Sequence, residues 1–488
     1  MAKRVRIDYD GSERKSGQSI LAPIKSIVKG QMIHVVPSYG NSFFFTIGVY
    51  LLELFAILAV TGMIMLIFGP YWWDTTTTGT FIRSVHLWAA EAFVTLMFIH
   101  LAVNLSTSAF RKKKLMWIIG SIMLLLVLLQ FAFGIGLEGG LVSQVNDQAA
   151  ADLWNGLGLG FWVNPMNQGA VLGWHVAIVP ILLVGLILLH YTIVRRRGLN
   201  TPYRKDIPYK MVRANHNSMY RRMAYILAAV LIFSVIFSSP YIPPLTISQA
   251  ANSQPSNIAI TFLNEFNFSS GTATYSDSIN PYLFNTRTVY VSRPYGDYVN
   301  LTGSKNYEAS LLAYNLSEQN TLLSEAYQYF NNGGSISAGL NSSNPAIVLA
   351  SRLTLMAQMG TYQPFLQSEE TSGLDNTYVL RFLVDSGSLN ISAQQNGLGV
   401  PQYGMLLVGA SPWSFQYWLL PYNIMEIVTS NISWWGDLEN GLVAFVAFLV
   451  LLLLPFIPGL KKLPDKLKLY KIFWNRFTIP ELKKKNKR

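Results

Sequence analysis

Six long apolar stretches alternate with polar segments along the chain. Each has at least 17 residues, the lower end of the range of about 17–25 residues for a helix that crosses a hydrocarbon core. We expect spans at Phe43–Phe68, Ile82–Leu105, Leu115–Leu137, Ala170–Val194, Met223–Ser239 and Gly441–Ile457. Only 13% of the 488 residues are charged, so the pattern predicts an all-α membrane protein of about six transmembrane helices.

Positive charge is concentrated in alternate connections between these spans. Lys and Arg cluster near the start, at Arg111–Lys114, at Arg195–Arg197 and in the tail, whereas Glu138–Gly169 has neither. Such alternation places the basic segments in the cytoplasm, so we expect a multi-pass plasma-membrane protein with both termini inside. The net charge of +12 therefore favours contact with membrane lipids over binding of nucleic acid. The absence of cysteine excludes disulfides, Cys-ligated iron–sulfur clusters and c-type haem attachment.

A polar segment rich in Ser, Asn, Thr, Gly and Tyr interrupts the pattern between the fifth and sixth spans. Alternating positions in Thr288–Ser292 and Tyr378–Val384 predict strands, and hence an extracellular inserted domain of mixed, β-containing structure. The predicted divisions are an N-terminal cytoplasmic segment (1–42), a four-helix core (43–200), a cytoplasmic loop with the fifth helix (201–240), the insertion (241–409), a loop with the sixth helix (410–458) and a basic cytoplasmic tail (459–488).

Asn-x-Ser/Thr sequons cluster in and beside the insertion. They are Asn267, Asn300, Asn315, Asn341, Asn390 and Asn431. Clustering on the expected outer side predicts a glycosylated surface, with chance occurrence in an Asn-rich segment as the alternative. A glycosylated outer loop favours an archaeal plasma membrane. Asn104 also heads a sequon but lies at the cytoplasmic end of the second span, where we expect no sugar.

Two of the expected spans each carry a pair of histidines. His86 and His100 are fourteen residues apart in the second span, and His175 and His190 are fifteen apart in the fourth. Fourteen helical residues advance about 21 Å and return to nearly the same face. Both spans run from outside to inside, so His86 with His175 and His100 with His190 form two bis-imidazole pairs at different depths. Two axial imidazoles suit haem iron, whereas zinc or copper would require ligands gathered at one point.

Glycines repeat with the same period in the first and third spans. Gly48 and Gly62, and Gly120 and Gly134, are both fourteen residues apart. Glycine weakens a helix by about 1 kcal/mol relative to alanine but admits a bulky group close to the backbone. A flat macrocycle beside each glycine accounts for the shared period, whereas small-residue helix packing does not require it.

The first 200 residues resemble cytochrome b of the bc-type (Rieske/cytochrome b) complexes. The resemblance rests on the paired histidines and glycines, Thr61–Gly62, Arg83 three residues before His86, Trp117 with Gly120, and Pro180 between the second histidine pair. It implies two haem b groups and pairs Arg83 with an outer haem propionate. A second family arginine is absent, since Val103 takes its place; Arg111 is a candidate substitute.

The family also oxidises quinol near the outer haem and reduces quinone near the inner one. Its outer site carries a Pro-Glu-Trp-Tyr motif, and aligning Trp413 here puts Pro412 in place of the glutamate. The candidates for the quinone sites are therefore Glu426, Glu138, Asp147, Trp413 and Tyr417 on the outer side and His216 on the inner side. Ordinary solvated carboxylates, an interfacial aromatic belt and a surface histidine are the alternatives.

These features predict a di-haem cytochrome b subunit that moves electrons across the membrane between quinol and quinone sites. The resemblance implies a Rieske iron–sulfur partner, further cytochrome or oxidase subunits, and a homodimer as an open possibility. One alternative is a di-haem anchor that connects a peripheral oxidoreductase to the quinone pool through a single site. The other is a non-redox surface adhesin or transporter with incidental histidines.

Overall fold

A computed structural model describes residues 34–160, 162–199, 211–239, 241–276, 284–367, 374–398, 428–429, 432 and 437–471. The quinone-site candidates Trp413, Tyr417 and Glu426 lie outside the described residues, as do the motif position Pro412 and the sequon Asn431.

The all-α membrane architecture is confirmed for the first five spans. The N-terminal part comprises a short strand β1 (Val35–Pro37), α1 (Phe43–Thr75), α2 (Thr77–Ser106), α3 (Lys114–Gly136), α4 (Leu141–Gly156), α5 (168–197), a short strand β2 (Met211–Arg213) and α6 (His216–Ile236). Of these, α1, α2, α3, α5 and α6 are long and apolar enough to cross a membrane. In α5 a π-helical turn at Trp174–Ile178 joins Gln168–Gly173 to Val179–Arg197.

The membrane helices pack as neighbours in two pairs with α6 on the outside. α1 lies against α2 and α3 against α5, while α6 packs on α2. Buried Tyr50 and Leu54 of α1 meet Ala89 and Val94 of α2 in a shared apolar core. α1 bends near its end because Gly69 adopts a positive φ of 75° immediately before Pro70, which cannot donate the helical hydrogen bond. β1 and β2 pair antiparallel, with Val35 opposite Arg213.

The insertion is helical in its described part, so the predicted β-containing character is wrong. Its helices are α7 (Ile247–Ser253), α8 (Pro255–Phe266), α9 (Gly271–Ser276), α10 (Arg293–Thr302), α11 (Tyr307–Leu312), α12 (Leu316–Asn331), α13 (Ile336–Gly339), α14 (Pro345–Gln358), α15 (Tyr362–Gln367), α16 (Thr377–Asp385) and α17 (Ser388–Gln395). The predicted strand Thr288–Ser292 is a π-helical turn leading into α10, and Tyr378–Val384 lies within α16. Short apolar runs fit either structure, and here Val379, Leu380 and Leu383 are buried on one helical face.

The helix after the insertion begins and ends four residues earlier than predicted. α18 covers Asp437–Leu453, and its apolar part, Gly441–Leu453, is below the length of the five spanning helices. Pro455 disfavours helical geometry at the residue before it, which explains why the helix stops short of the predicted Ile457. The indole Nε1 of Trp117 donates to the Leu451 carbonyl at 2.8 Å, holding α18 against α3. A last short helix, α19, spans Leu463–Lys466.

α4 joins the insertion to the membrane core. Leu141, Val142 and Ala151 of α4 are buried in one apolar cluster with Ile258 and Phe262 of α8. Polar contacts reinforce this junction. The Gln144 side chain donates to the Leu245 carbonyl at 3.0 Å and accepts from the Leu245 amide at 2.8 Å, and Arg381 of α16 reaches Asp152 at 3.4 Å.

Candidate functional site

Facing histidines on α2 and α5 form the centre of the candidate site. His86 and His175 lie with their ring centroids 6.3 Å apart and their planes inclined at 60°. Both residues are only partly exposed, within a bundle whose other lining is apolar. The structure thus brings together two imidazoles from helices that are adjacent to α1 and α3, respectively.

The Nδ1 atoms of both rings are engaged by neighbouring helices. His86 Nδ1 lies 2.8 Å from the Thr61 hydroxyl, which itself donates to the Ile57 carbonyl and is therefore the acceptor for His86. His175 Nδ1 lies 3.0 Å from the Gln130 carbonyl, and the Gln130 side chain donates back to the His175 carbonyl at 2.7 Å. A proton on each Nδ1 leaves Nε2 as the free lone pair, which is the arrangement of metal-binding imidazoles.

The glycine contacts differ between the two depths. A Cβ atom at Gly62 would lie 3.2 Å from His86 Cε1, and one at Gly134 would lie 3.0 Å from His175 Cε1. These two glycines therefore admit the imidazoles themselves close to α1 and α3. A Cβ atom at Gly48 or Gly120 would meet nothing within 4 Å, so open space adjoins the backbone there.

His190 carries a buried Nδ1 that has no hydrogen-bond partner among the described residues. His100, fourteen residues along α2 from His86, accepts at its carbonyl from the Asn104 side chain at 2.7 Å. One pair of facing imidazoles, two further histidines on the same two helices, apolar walls and open space beside Gly48 and Gly120 supply the ligands and the shape that haem groups require.

Arg83, near the start of α2, contacts three groups of this chain. It forms an ion pair with Asp74, donates to the Ser239 carbonyl at 3.3 Å, and stacks 5.0 Å from the Tyr241 ring centroid. Asp74 was not identified from the sequence, because it follows the bend at the end of α1. Arg111 is likewise engaged, since it reaches Asp465 at 2.5 Å.

Two of the quinone-site candidates flank the start of α4. Glu138 lies between α3 and α4, where burial raises the pKa of its carboxyl to about 7 although Arg83 acts in the opposite direction. Asp147 is 6% exposed, and burial holds its pKa well above the usual range. A Cβ atom at Gly136 would lie 2.6 Å from Asp147 Oδ1, so this carboxyl rests directly on the last turn of α3.

At the other end of the bundle, His216 begins α6 and its ring lies 5.9 Å from the ring of His34 in an edge-to-face arrangement. His34 directly precedes β1, so the β1–β2 pairing brings the two histidines together. The sequence pattern indicated His216 alone, because its partner His34 lies far earlier in the chain and no local pattern connects the two.

Glu91 is a buried acidic residue of α2 that was not singled out from the sequence. It lies on α2 between His86 and His100 and is 9% exposed. The available signal was an acidic residue inside an apolar span, which is costly and is usually functional. In the described part of the chain, no group of three or more His, Cys, Asp or Glu side chains is arranged to hold a metal ion.

The sequons of the insertion that lie in the described part of the chain are all on exposed residues: Asn267, Asn300, Asn315, Asn341 and Asn390. Asn104, in contrast, is partly buried and engaged with the His100 carbonyl.

Part of this chain is similar in sequence to known proteins. Residues 91–250 match the family described as "Cytochrome b(N-terminal)/b6/petB". Cytochrome b6 of Heliobacterium modesticaldum is 26% identical over 206 residues, covering 37% of this chain and 95% of the relative. The cytochrome bc1 complex cytochrome b subunit of Mycobacterium tuberculosis is 26% identical over 208 residues, covering 34% of this chain and 37% of the relative. The matched region thus spans little more than a third of the mycobacterial relatives.

Among solved structures, a chain of "Hyperthermophilic respiratory Complex III" aligns with a TM-score of 0.36 and 18% identity, covering 75% of this chain and 98% of that chain.

Proposed function

We propose that the membrane core of this chain is that of a cytochrome b of bc-type complexes, and that the protein is the di-haem subunit of a quinol-oxidising respiratory complex. His86 and His175 hold one haem b, and His100 and His190 hold the other. The observation that carries the proposal is the pair of facing imidazoles whose Nδ1 atoms are both bound to neighbouring helices. When bound, the haem irons supply one-electron chemistry along the bundle.

The residues of this chain orient and enclose those groups. Thr61 and the Gln130 carbonyl fix the ring orientation of His86 and His175. Gly48 and Gly120 leave space beside the inner pair, and Gly62 and Gly134 bring the outer imidazoles close to the backbone. Arg83, one helical turn from His86, offers a forked cation to a haem carboxylate alongside Asp74.

Quinone chemistry would occur at both ends of the bundle. Glu138 and Asp147 are the described carboxyls at the outer end, with Trp413, Tyr417 and Glu426 as further candidates from the sequence. At the inner end the His34–His216 pair offers imidazoles to a quinone headgroup. Electrons from quinol would pass to the haem pair and to a Rieske iron–sulfur partner, with other cytochrome or oxidase subunits completing the complex.

The proposed topology places both termini in the cytoplasm of an archaeal plasma membrane and residues 241–409 outside. Exposure of all five sequons in the described part of the insertion supports this orientation. Asn104 would remain unmodified, because it lies at the proposed cytoplasmic end of α2 and its side chain donates to the His100 carbonyl.

Haem content tests the proposal directly. We expect purified protein to give two b-type components at separate potentials in a potentiometric titration of the visible spectrum, with two haems per chain by pyridine haemochrome. His100→Ala should remove one component and His175→Ala the other, while the control His34→Ala should retain both. One haem or none in the wild type contradicts the proposal.

A single-site membrane anchor is the second candidate. The position of the motif glutamate is Pro412, which cannot carry a proton, and α18 is shorter than a full span. These observations favour a protein that exchanges electrons with quinone at the inner end only. Quinol-driven reduction of both haems in a complex that contains a Rieske protein would exclude the anchor, and its absence would favour it.

A further inference from the structure

A cavity of about 120 Å³ lies where the insertion meets the membrane core. Gln144 and Asp147 line it from α4, and Gln168 lines it from the start of α5. The insertion contributes Gln363 and Asn376, beside Thr246. Neither part of the molecule encloses this space alone, because the wall is divided between them.

Asp147 is the titratable side chain in the described wall of this cavity. It is 6% exposed, and no hydrogen bond to its carboxyl is found among the described residues. On the side away from the cavity, the Asp147 carboxyl lies against Gly136 of α3. Gly134, two residues earlier on the same helix, lies against the His175 ring. A buried, unpartnered carboxyl thus stands between the imidazole pair and the cavity.

The cavity has the size and lining of a water channel segment. A water molecule occupies about 30 Å³ in the liquid, so about four molecules fill this volume. The amide and hydroxyl side chains of Gln144, Gln168 and Thr246 supply the polar partners that ordered water requires. The space is too small for a quinone ring in the usual pocket of about 300 Å³ or more.

Other charged groups surround α4 without entering the cavity. On α4 itself and on the elements packed around it they are Asp152, Arg381, Glu138, Asp375, Asp385 and Glu439. Asp152 is paired with Arg381, and Asp375 accepts hydrogen bonds from Asn167 and Thr377. The pKa of the Asp147 carboxyl is therefore raised by burial and not by a neighbouring charge.

We propose that Asp147 accepts a proton released by quinol oxidation and that the cavity at the insertion conducts this proton away through water. The inference rests on the proposed function and assigns to Asp147 the task of the glutamate that Pro412 replaces. The insertion, in consequence, is a working part of the proton exit, since it supplies half of the wall.

The proton balance is simple. Oxidation of one quinol to quinone releases two protons and two electrons. One proton leaves with the electron that passes to the iron–sulfur partner, and the second, released with the electron that enters the haem pair, goes to a carboxylate oxygen of Asp147. The protonated Asp147 returns this proton to cavity water before the next turnover. No further oxidant or reductant is required.

The test compares Asp147→Asn with Asp147→Glu and with the control Asp152→Asn on the same helix. All are made in the full haem-loaded complex, and haem content shows whether each variant folds. We expect Asp147→Asn to slow quinol-driven haem reduction about 100-fold, the usual contribution of a general base, and to abolish the rise in rate with pH. Asp147→Glu should restore most of the rate with a displaced pH profile, and Asp152→Asn should behave as the wild type.

Infrared difference spectroscopy provides a readout that needs no quinol. Electrochemical reduction of the haems should produce a carboxylic-acid carbonyl band in the wild type and in Asp152→Asn, absent in Asp147→Asn and displaced in Asp147→Glu. Persistence of the band and of the rate in Asp147→Asn refutes the role of Asp147 alone. A wild type that binds two haems but is never reduced by quinol refutes the proposed function as well, so the two failures are distinguishable.

Discussion

The hydrogen bonds that hold the histidines are the residue-scale features with the clearest chemical consequence. Thr61 accepts from His86 Nδ1, and a ligand that donates its second N–H in this way becomes more basic. A more basic imidazole favours the oxidised iron that it binds. Side-chain hydrogen bonding on α1 should therefore tune the outer site without touching the metal.

Replacing Thr61 by valine tests this tuning. Thr61→Val keeps the side-chain shape but leaves the His86 N–H unpaired, which costs about 1–3 kcal/mol. We expect the outer haem component to titrate at a higher potential while the inner component is unchanged. Thr192→Val removes a comparable helix hydroxyl that bonds only the Leu188 carbonyl and should alter neither potential. Equal shifts in both variants would show that Thr61 has no special role.

The two histidine pairs could be singled out from the sequence, because their spacings of fourteen and fifteen residues are visible within single apolar spans. Partners from distant segments were not accessible in this way. Asp74 meets Arg83 only because α1 bends at Gly69, and His34 meets His216 only through the β1–β2 pair. Such contacts depend on tertiary packing, which no local pattern encodes.

At the scale of elements, the long periodic segments were the most predictable. The first five spans were confirmed because a continuous apolar run of that length has few alternatives. α16 was misjudged as a strand because its seven-residue apolar run satisfies two periods at once, and burial by neighbouring helices decides between them. α4 was not among the elements predicted from the sequence, because the residues that cover its apolar face lie far along the chain.

The glycine period gives an element-scale prediction. Gly120→Leu places a side chain where the protein itself offers no contact within 4 Å, and leucine is the better helix former by nearly 1 kcal/mol. If a haem fills that space, we expect loss of the inner haem component from the visible spectrum with the outer one retained. Gly185→Leu, on α5 and equally free of contacts, should keep both haems. If Gly120→Leu retained two haems, the fourteen-residue spacing of the glycines would instead reflect contact with lipid.

At the scale of the whole molecule, the insertion contains a buried carboxyl that makes its stability depend on pH. Glu265 is completely buried, and Ser270 donates to it at 2.7 Å. Burial, reinforced by the negative charge of Asp385, raises the pKa of Glu265 from 4.5 to about 9. A carboxyl with a raised pKa stabilises the fold when it is protonated. Its contribution is complete below pH 4.5 and is lost as the pH rises toward 9.

Hydrogen–deuterium exchange across this pH window tests that expectation in the full chain in detergent. After correction for the intrinsic exchange rate, protection of α8 should fall as the pH rises, and Glu265→Gln should flatten the dependence. The control Asp297→Asn replaces a partly exposed carboxyl and should retain the wild-type slope. A pH-independent wild type would be incompatible with a buried neutral Glu265.

The shared core of α4 and the insertion also dictates an order of assembly during synthesis. α4 ends at Gly156, but the apolar partners that cover it reach as far as Leu398. At about 5–20 residues per second, a ribosome needs roughly ten to fifty seconds to cover that interval. During this time the apolar face of α4 stands uncovered beside the membrane surface. A nascent chain of this kind depends on chaperone or lipid protection until the insertion has been delivered and folded onto it.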